Sequence, residues 1–497
     1  MKGFYFFMLI AFASLLIGCS NEEGLVDQNV TTLESNTSVV SEDSFVSSKD
    51  AIGVANAFFN QISSQTTLTT RSSKLEAGVS ENFNASDASI EAVKDRDNKP
   101  LLYIMNYRSG GFVVVSATKD YYPILAYSDE GSFIMTLGKD MGPVSVWLEE
   151  TIGMIKSRSK LSEEIKGNIR TAWNQYRNLA DVPDNTGIRT RSSGDPYSAM
   201  MQRLNELRSD QTLRNNGWLT FVDYPNAGMY FDSYTLSDIY NKAISNGTNP
   251  DYAIIGINYD TKITTVGPFI LTVWGQNKPY NSQCPDTTKA AGCASVAMAQ
   301  IVKFYECPFN LTHDNHTMVW SSMVNSGAPT GSSTPYLIAY TRSASMSSYW
   351  NNNSYATPGN VVNGWQALSY NVTRKSHNIT DVNKEIVVNK RPVMMLGFPG
   401  ILDPNGHYWI CDGNKDYTNK QLFFVEYQID YGNGNYIYNN FGYSSATYPA
   451  VIQLPGTAYY HMNWGWANSS SVTQNGWFFP NYSDGNDHYR ENFYVHP

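Results

Sequence analysis

The segment that decides the fold runs from Ala290 to Tyr305 and reads AAGCASVAMAQIVKFY. Most residues after Cys293 are good helix formers, so we predict a helix that begins at this cysteine and ends before Cys307-Pro308. A cysteine at a helix N-terminus lies at the positive end of the helix dipole, which favours its thiolate. Cys293 is therefore a candidate nucleophile, and the alternative is a small buried core thiol.

The composition indicates a globular chain of two or three domains. It has 497 residues, of which 42% are hydrophobic and 16% are charged, so the chain is not predicted to be disordered. The formal net charge is −9 and no long basic run occurs, which argues against a nucleic-acid partner.

The five cysteines do not form a disulfide scaffold. Cys19 falls at the end of an export signal and Cys293 is the candidate nucleophile, which leaves Cys284, Cys307 and Cys411. Because three is odd, at least one of them cannot pair within the chain. The sequence is compatible with a Cys284–Cys307 disulfide bridge and also with its absence.

Four blocks of sequence surround the candidate nucleophile. In chain order they are Trp274-Gly275-Gln276 with Pro279-Tyr280-Asn281, Gly292-Cys293 with Ala299-Gln300-Ile301, Gly406-His407 with Asp412-Gly413, and Asn463-Trp464-Gly465-Trp466. Their order and spacing resemble those of the streptopain-type cysteine peptidases, which are secreted zymogens of the papain-like superfamily. The resemblance implies an α+β fold. A papain-like catalytic domain, with its cysteine on an N-terminal helix and an antiparallel, barrel-like sheet, follows a small α+β prosegment domain.

The resemblance makes His407 the base. His407 lies 407 − 293 = 114 residues after the cysteine, so only folding can bring the two together. Strand periodicity puts His407, Trp409 and Cys411 on one face, and Gly406 leaves room at the mouth of a substrate cleft. The alternatives are a structural histidine at 407, or His461 as the base.

Three further roles follow from the resemblance. Gln276 is the predicted oxyanion donor beside the backbone N–H of Cys293; the alternative is a surface amide. Asn463 is a catalytic candidate that orients the histidine ring. Trp464 and Trp466, with Gly406, are predicted to line the substrate site. Ala467 replaces the glycine that usually follows this block, which alters the expected cleft geometry.

No metal site or cofactor is predicted. His313 and His316 have metal-like spacing, but no third ligand is evident, so we interpret them as part of a polar loop.

The N-terminus predicts export. Residues 1–18 combine Lys2 with an apolar run too short to span a bilayer, which is typical of a signal peptide. Leu16-Ile17-Gly18-Cys19 resembles a bacterial lipoprotein signal, so Cys19 is the predicted lipidation site and membrane anchor; an ordinary cleaved signal is the alternative. Residues 19–47 are a predicted flexible tether, and the expected location is the outer membrane or cell surface, with possible release after processing.

Residues 48–180 form the predicted inhibitory prosegment. We expect a helix at 51–59, strands at 101–107, 111–116 and 122–127, and helices at 144–157 and 161–176. The segments 109–116 and 122–128 resemble the prosegments of the streptopain-type zymogens. An accessory domain without an inhibitory role is the alternative.

The remaining chain divides into a junction and the catalytic domain. Residues 181–265 are a processing junction and an unassigned segment, with a predicted cut after Arg189, helices at 200–207 and 236–246, and a strand at 252–259. Residues 266–497 are the predicted catalytic domain. Its expected strands are 392–398, 407–412, 422–429 and 459–464, and its expected loops are 321–335 and 431–446.

The sequence thus predicts an exported cysteine endopeptidase made as a zymogen. Its expected partners are protein or peptide substrates, its own prosegment, and a membrane reached through the lipid on Cys19. A papain-like amidase acting on cell-wall peptides and a non-catalytic surface binding lipoprotein are the alternatives.

Overall fold

The computed structural model describes most of the chain: residues 44–66, 88–134, 144–176, 196–215, 220–223, 252–350, 353–398, 406–430, 436–441, 451–453, 457–467, 474–480 and 490–497. The predicted signal peptide, Cys19, the cut after Arg189 and the predicted helix at 236–246 lie outside these residues. Within these ranges, no helix combines the length and apolar character needed to cross a bilayer.

The described helices are α1 (Ser48–Thr66), α2 (Val144–Ser157), α3 (Glu163–Asn174), α4 (Pro196–Ser209), α5 (Gln211–Asn215), α6 (Cys293–Tyr305), α7 (Thr334–Ala344), α8 (Pro358–Ala367) and α9 (Ile379–Asn383). The strands of the first half are β1 (Ala88–Lys94), β2 (Pro100–Tyr107), β3 (Phe112–Ser116), β4 (Ile124–Ser128), β5 (Thr220–Asp223), β6 (Tyr252–Val266), β7 (Thr312–His313), β8 (His316–Thr317), β9 (Ser348–Trp350) and β10 (Asn353–Tyr355). Those of the second half are β11 (Asn371–Ser376), β12 (Val393–Gly397), β13 (His407–Asp430), β14 (Tyr436–Phe441), β15 (Val451–Gln453), β16 (Thr457–Asn463), β17 (Gly476–Phe478) and β18 (Glu491–His496).

One antiparallel sheet connects the N-terminal domain to the C-terminal domain. Its main path is β1-β2-β3-β4-β17-β16-β13-β12-β18-β11. The connection is the pairing of β4 with β17, in which Trp477 faces Tyr127 and Phe478 faces Ala126. The α+β prediction with a large antiparallel sheet is therefore confirmed.

The predicted elements of the N-terminal domain are present. Helix α2 has the expected bounds, and α1, α3 and strands β2 to β4 lie within two residues of their predicted starts or extend them. Strand β1 was not predicted, because three of its seven side chains are exposed in a row and its apolar alternation is weak.

Two predicted strands of the C-terminal domain are one. The segments 407–412 and 422–429 both belong to β13, which is 24 residues long. The predicted gap between residues 412 and 422 is absent, because pairing with β16 continues past a bulge between Cys411 and Gly413. The loop prediction for 431–446 was also wrong, since β14 lies inside it; the surrounding Asn and Gly residues concealed a short run of aromatic and β-branched residues.

The unassigned segment before residue 266 joins the large sheet. Strand β6 pairs with β13 over 15 residues, from Gln428↔Tyr252 to Asn414↔Val266. Helix α4 packs against β5 and β6 through Leu204, Leu207, Phe221 and Ile254. This part of the chain is therefore built onto the longest strand of the C-terminal domain.

Strand β13 separates two cores. Tyr408 and Ile410 point into the core that contains helix α6. Trp409 and Cys411 point into a second core, which the N-terminal domain shares through Val146 and Trp147. The predicted alternation along this strand is thus confirmed. Helix α6 is buried on all sides over its first ten residues, and not on one stripe only.

Candidate active site

Cys293 is the first residue of α6, as the sequence predicts. It is 5% exposed. Gly292 precedes it with φ +104°, a conformation that favours glycine, and a Cβ at Gly292 would approach the Ser354 Cβ to 3.0 Å. Cys293 can act as a nucleophile only as the reduced thiolate.

The backbone before Cys293 is held by buried polar side chains. The Ser354 hydroxyl donates to the Ala290 carbonyl (2.7 Å), and Arg342 Nη1 donates to the Ala291 carbonyl (3.2 Å) and to Ser354 Oγ (3.0 Å). Arg342 also stacks 3.7 Å over the Tyr349 ring. These contacts fix the approach of the chain to the first turn of α6.

Gln276 lies next to the same backbone. The Ala291 N–H donates to the Gln276 carbonyl (2.8 Å). The Gln276 side chain is 2% exposed, and neither its Nε2 nor its Oε1 has a hydrogen-bond partner in the described structure. An unpaired buried amide is costly, so both polar atoms of this side chain are left with an unmet demand for a hydrogen bond.

His407 begins β13 and is 2% exposed. Its ring lies edge-on to Trp466, with centroids 6.4 Å apart. The neighbours of His407 and Cys293 meet on one segment: Tyr408 Oη donates to the Ala356 carbonyl (3.2 Å), and Ser354, two residues earlier, contacts Gly292. Tyr408 and Gly292, the chain neighbours of His407 and Cys293, therefore both lie next to residues 354–356.

Gly406 precedes His407 and lies against the Phe398 ring. A Cβ there would approach the Phe398 ring to 2.6 Å, and Phe398 packs on the core that contains Cys293. Glycine at this position therefore leaves space for the ring beside the histidine.

Asn463 is fully buried, and its amide is directed at helix α6 and its neighbours. Nδ2 donates to the Thr272 carbonyl (2.8 Å), and Oδ1 accepts from Gln300 Nε2 (3.3 Å) and from the Gly465 N–H (3.2 Å). None of these hydrogen bonds reaches the His407 ring. The orienting role of Asn463 stays a prediction.

The two tryptophans after Asn463 differ in environment. Trp464 is 2% exposed and packs between Trp409 and Phe478, with ring centroids 5.4 and 5.0 Å away. Trp466 is less buried and contacts the His407 ring. Of the two tryptophans, Trp466 is therefore the one in ring contact with His407.

Ala467 belongs to the wall of the site. Its carbonyl lies where a Cβ on Gly275 would be, and its N–H faces the Trp274 carbonyl at 3.5 Å. The replacement of the usual glycine thus falls beside the segment that carries Gln276.

His461, the rival base, is paired with a carboxylate that sequence reasoning did not assign. Its Nδ1 lies 2.6 Å from Oδ1 of the fully buried Asp412, whose Oδ2 accepts from the Ile270 N–H (2.8 Å). Its ring packs on Trp477 at 5.2 Å, next to the N-terminal domain. The available signal was an Asp five residues after His407 and a His two residues before Asn463.

His313 and His316 belong to the short β7-β8 hairpin. Their rings pack on Tyr340 (4.9 Å) and Tyr336 (3.7 Å) of α7. In the described part of the chain, no group of three or more His, Cys, Asp or Glu side chains is arranged to hold a metal ion.

Cys284, Cys307 and Cys411 are free cysteines, so the open Cys284–Cys307 bridge is absent. Burial raises the pKa of the Cys284 thiol to about 11, against a smaller opposing effect of Arg342. Burial also raises the pKa of Cys411 well above its ordinary value. These two thiols are therefore poor nucleophiles near pH 7.

Helix α2 of the N-terminal domain packs on the C-terminal domain close to β12. Val146 lies against Gly397, which faces His407 across the β12–β13 pair. Trp147 Nε1 donates to the Phe479 carbonyl (3.1 Å), and Glu150 forms a two-point ion pair with Arg490. The helix therefore packs on β12, which pairs with the start of β13 at His407, and on residues that adjoin β17 and β18.

Comparisons with known proteins agree with these two domains. Residues 43–152 match the family model described as Spi protease inhibitor, and residues 274–478 match the Peptidase C10 family. Streptopain of Streptococcus pyogenes, and the streptopains of two of its serotypes, are each 28% identical over 149 residues. These alignments cover 27% of this chain and 36% of each relative, so the chain spans about a third of the length of the relatives it matches.

A solved fragment of prointerpain A from Prevotella intermedia is also similar, with a TM-score of 0.41 and 14% identity over 82% of this chain and 98% of the fragment. The two family matches follow the order of the domains in the structure, with the inhibitor-type domain first and all four motif blocks in or at the edge of the second. The chain is therefore similar to the Peptidase C10 family over residues 274–478 and to the Spi protease inhibitor family over residues 43–152.

Proposed function

We propose that this chain is the zymogen of a cysteine endopeptidase that hydrolyses protein or peptide substrates. The observation that carries the proposal is the unpartnered Gln276 amide, anchored through Ala291 beside a cysteine at a helix N-terminus. A nucleophile and a buried donor without a partner are what acyl transfer requires.

In the proposed reaction, the reduced Cys293 thiolate attacks the scissile carbonyl carbon, and the C=O electron pair moves onto oxygen. That oxyanion is stabilised by Gln276 Nε2 and the backbone N–H of Cys293. His407, as imidazolium, gives its proton to the leaving amine as the C–N bond breaks. The neutral ring then takes a proton from water, which attacks the acyl group and releases the thiolate.

The N-terminal domain is the proposed inhibitory prosegment. The burial of both Cys293 and His407 and the packing of α2 beside His407 support this role. A cut after Arg189 would leave β6 on the catalytic unit, which is favoured by its pairing with β13 over 15 residues. N-terminal sequencing of the processed protein tests this boundary.

Export and lipidation are part of the proposal. Residues 1–18 would be removed and Cys19 lipidated, which would place the enzyme at the outer membrane or cell surface. Replacement of Cys19 by Ser should abolish incorporation of a fatty-acid label. An unchanged label would refute lipidation without affecting the peptidase assignment.

The central test is hydrolysis of denatured casein by the reduced protein, with Cys293→Ala as the inactive variant and Cys307→Ser as the matched cysteine control. An epoxysuccinyl thiol-protease inhibitor should label Cys293, as located by peptide mass mapping. Full activity of Cys293→Ala would refute the mechanism. Release of muropeptides without casein cleavage would favour a cell-wall amidase, and an inert Cys293 would favour a binding protein.

A further inference from the structure

Gln300 is a fully buried amide on the helix that carries Cys293. It lies seven residues after the cysteine, about two helical turns or 10 Å along the axis. A buried amide is unfavourable unless its polar atoms are paired. Its partners therefore indicate which part of the structure it holds.

Both polar atoms of Gln300 are used. Oε1 accepts from the Trp274 N–H (3.1 Å) and from Thr272 Oγ1 (3.2 Å). Nε2 donates to Asn463 Oδ1 (3.3 Å), whose own Nδ2 donates to the Thr272 carbonyl (2.8 Å). One side chain thus links α6 to residues 272–274 and to the end of β16.

The segment held in this way leads directly to Gln276. Trp274 lies two residues before it, and the Gln276 side chain itself has no hydrogen-bond partner in the described structure. The position of that amide is therefore set by its backbone. Two hydrogen bonds anchor this backbone to the part of the chain that carries Cys293. The Ala291 N–H donates to the Gln276 carbonyl, and the Trp274 N–H donates to Gln300 Oε1.

We infer that Gln300 is a positioning residue that holds the oxyanion glutamine at a fixed distance from the nucleophile. Two anchors at opposite ends of a short segment fix its orientation, whereas one anchor would leave it free to turn. A donor displaced by a fraction of an ångström stabilises an oxyanion less. This inference rests on the proposed peptidase function.

The test separates oxyanion stabilisation from thiolate reactivity. A peptide aldehyde inhibitor adds to the thiolate through its carbonyl carbon, which places negative charge on the carbonyl oxygen, so its affinity reports the oxyanion donors. Iodoacetamide alkylates the thiolate by displacing iodide and needs no oxyanion donor. Both are measured on the reduced full chain after its casein-hydrolysing activity has become constant.

For Gln300→Met we expect aldehyde affinity and kcat to fall by about 10- to 100-fold, somewhat less than the loss of a whole oxyanion donor. KM and the iodoacetamide rate at neutral pH should stay within about twofold of the parent. Thr272→Val removes only one hydrogen bond to Gln300 and should give a smaller loss in the same direction. Lys303→Met, on the same helix but outside this network, should match the parent.

Unchanged aldehyde affinity in both variants would overturn the inference. So would a parallel fall of aldehyde affinity and alkylation rate, since this would show only a general loss of structure. If Gln300→Met does not fold, the aldehyde affinity of Thr272→Val tests the inference in its place. A parent protein that neither cleaves casein nor reacts selectively at Cys293 would refute the proposed function instead.

Discussion

Two contact regions of the structure, called here the prosegment joint and the oxyanion joint, are built from different kinds of interaction. The prosegment joint, formed by α2 and β4 against β17 and Phe479, consists of aromatic rings, strand pairing and the Glu150–Arg490 ion pair. The oxyanion joint, formed by residues 272–276 with Gln300, Asn463 and Ala467, consists of buried neutral amides and backbone groups.

The difference matches what each joint has to do. Apolar burial is strong but non-directional, so it can hold in place a domain whose later removal is part of the proposed function. Buried hydrogen bonds fix distance and angle, and they are costly to leave half-made. We therefore expect substitutions in the first joint to change stability and substitutions in the second to change turnover.

The largest expected effect is on stability, from Trp147→Ala in the prosegment joint. Trp147 is 2% exposed and its ring lies 4.9 Å from that of Phe478, so its truncation should lower the free energy of unfolding by about 3–5 kcal/mol. Urea unfolding in a Cys293→Ala background, where self-cleavage is absent, measures this. Phe309→Ala, at a side chain 75% exposed, is the control. Equal losses in both variants would contradict the account of this joint.

The next effect is on turnover, from Gln276→Ala in the oxyanion joint. We expect kcat to fall by about 10²–10³, equivalent to about 2.7–4 kcal/mol. Stability should not fall, because the amide that is removed has no partner to lose. Casein hydrolysis and urea unfolding are measured together, with the exposed Gln366→Ala as control. A variant that loses stability but retains turnover would reverse the roles of the two joints.

The smallest effect concerns pH and the Cys284 thiol, which lies near Arg342 in the region before the nucleophile. Its pKa is raised from 9.0 to about 11 by burial. The folded chain therefore keeps a proton that the unfolded chain releases between these values. The stabilisation is complete below about pH 9 and declines as the pH rises toward 11, by about 1.4 kcal/mol per unit.

Cys284→Ala should remove this part of the alkaline decline, and Cys307→Ala should retain it. The measurement is the free energy of unfolding at pH 8, 9 and 10 for the three proteins in reducing buffer. Equal slopes for the parent and Cys284→Ala would show that the buried thiol does not contribute.

The sequence predicted the features of the fold that depend on local residue patterns. The start of α6 at Cys293, the bounds of α2 and the alternation of Trp409 with Tyr408 and Ile410 follow from helix propensity and strand period. The 24-residue length of β13 was not predicted, because its pairing with β16 continues past a bulge at the point where the predicted strand ends.

The site was predicted as a set of residue types but not as a network. The proximity of the segments bearing Cys293 and Gln276 was expected from the motif order. The Asp412–His461 pair and the link from Gln300 to Trp274 depend on which buried groups face one another across the fold. Sequence spacing carries no information on such partners, and the direction of the Asn463 amide is an example.

The pairing of β4 with β17 has a further consequence for the matured protein. If the N-terminal domain departs, β17 becomes the outermost strand of its ladder, with backbone groups and the Trp477 and Phe478 side chains newly exposed to water. Such an open edge invites self-association between chains. The protein without its N-terminal domain should therefore aggregate less at low concentration. A short extended peptide that pairs with β17 should keep it soluble for longer.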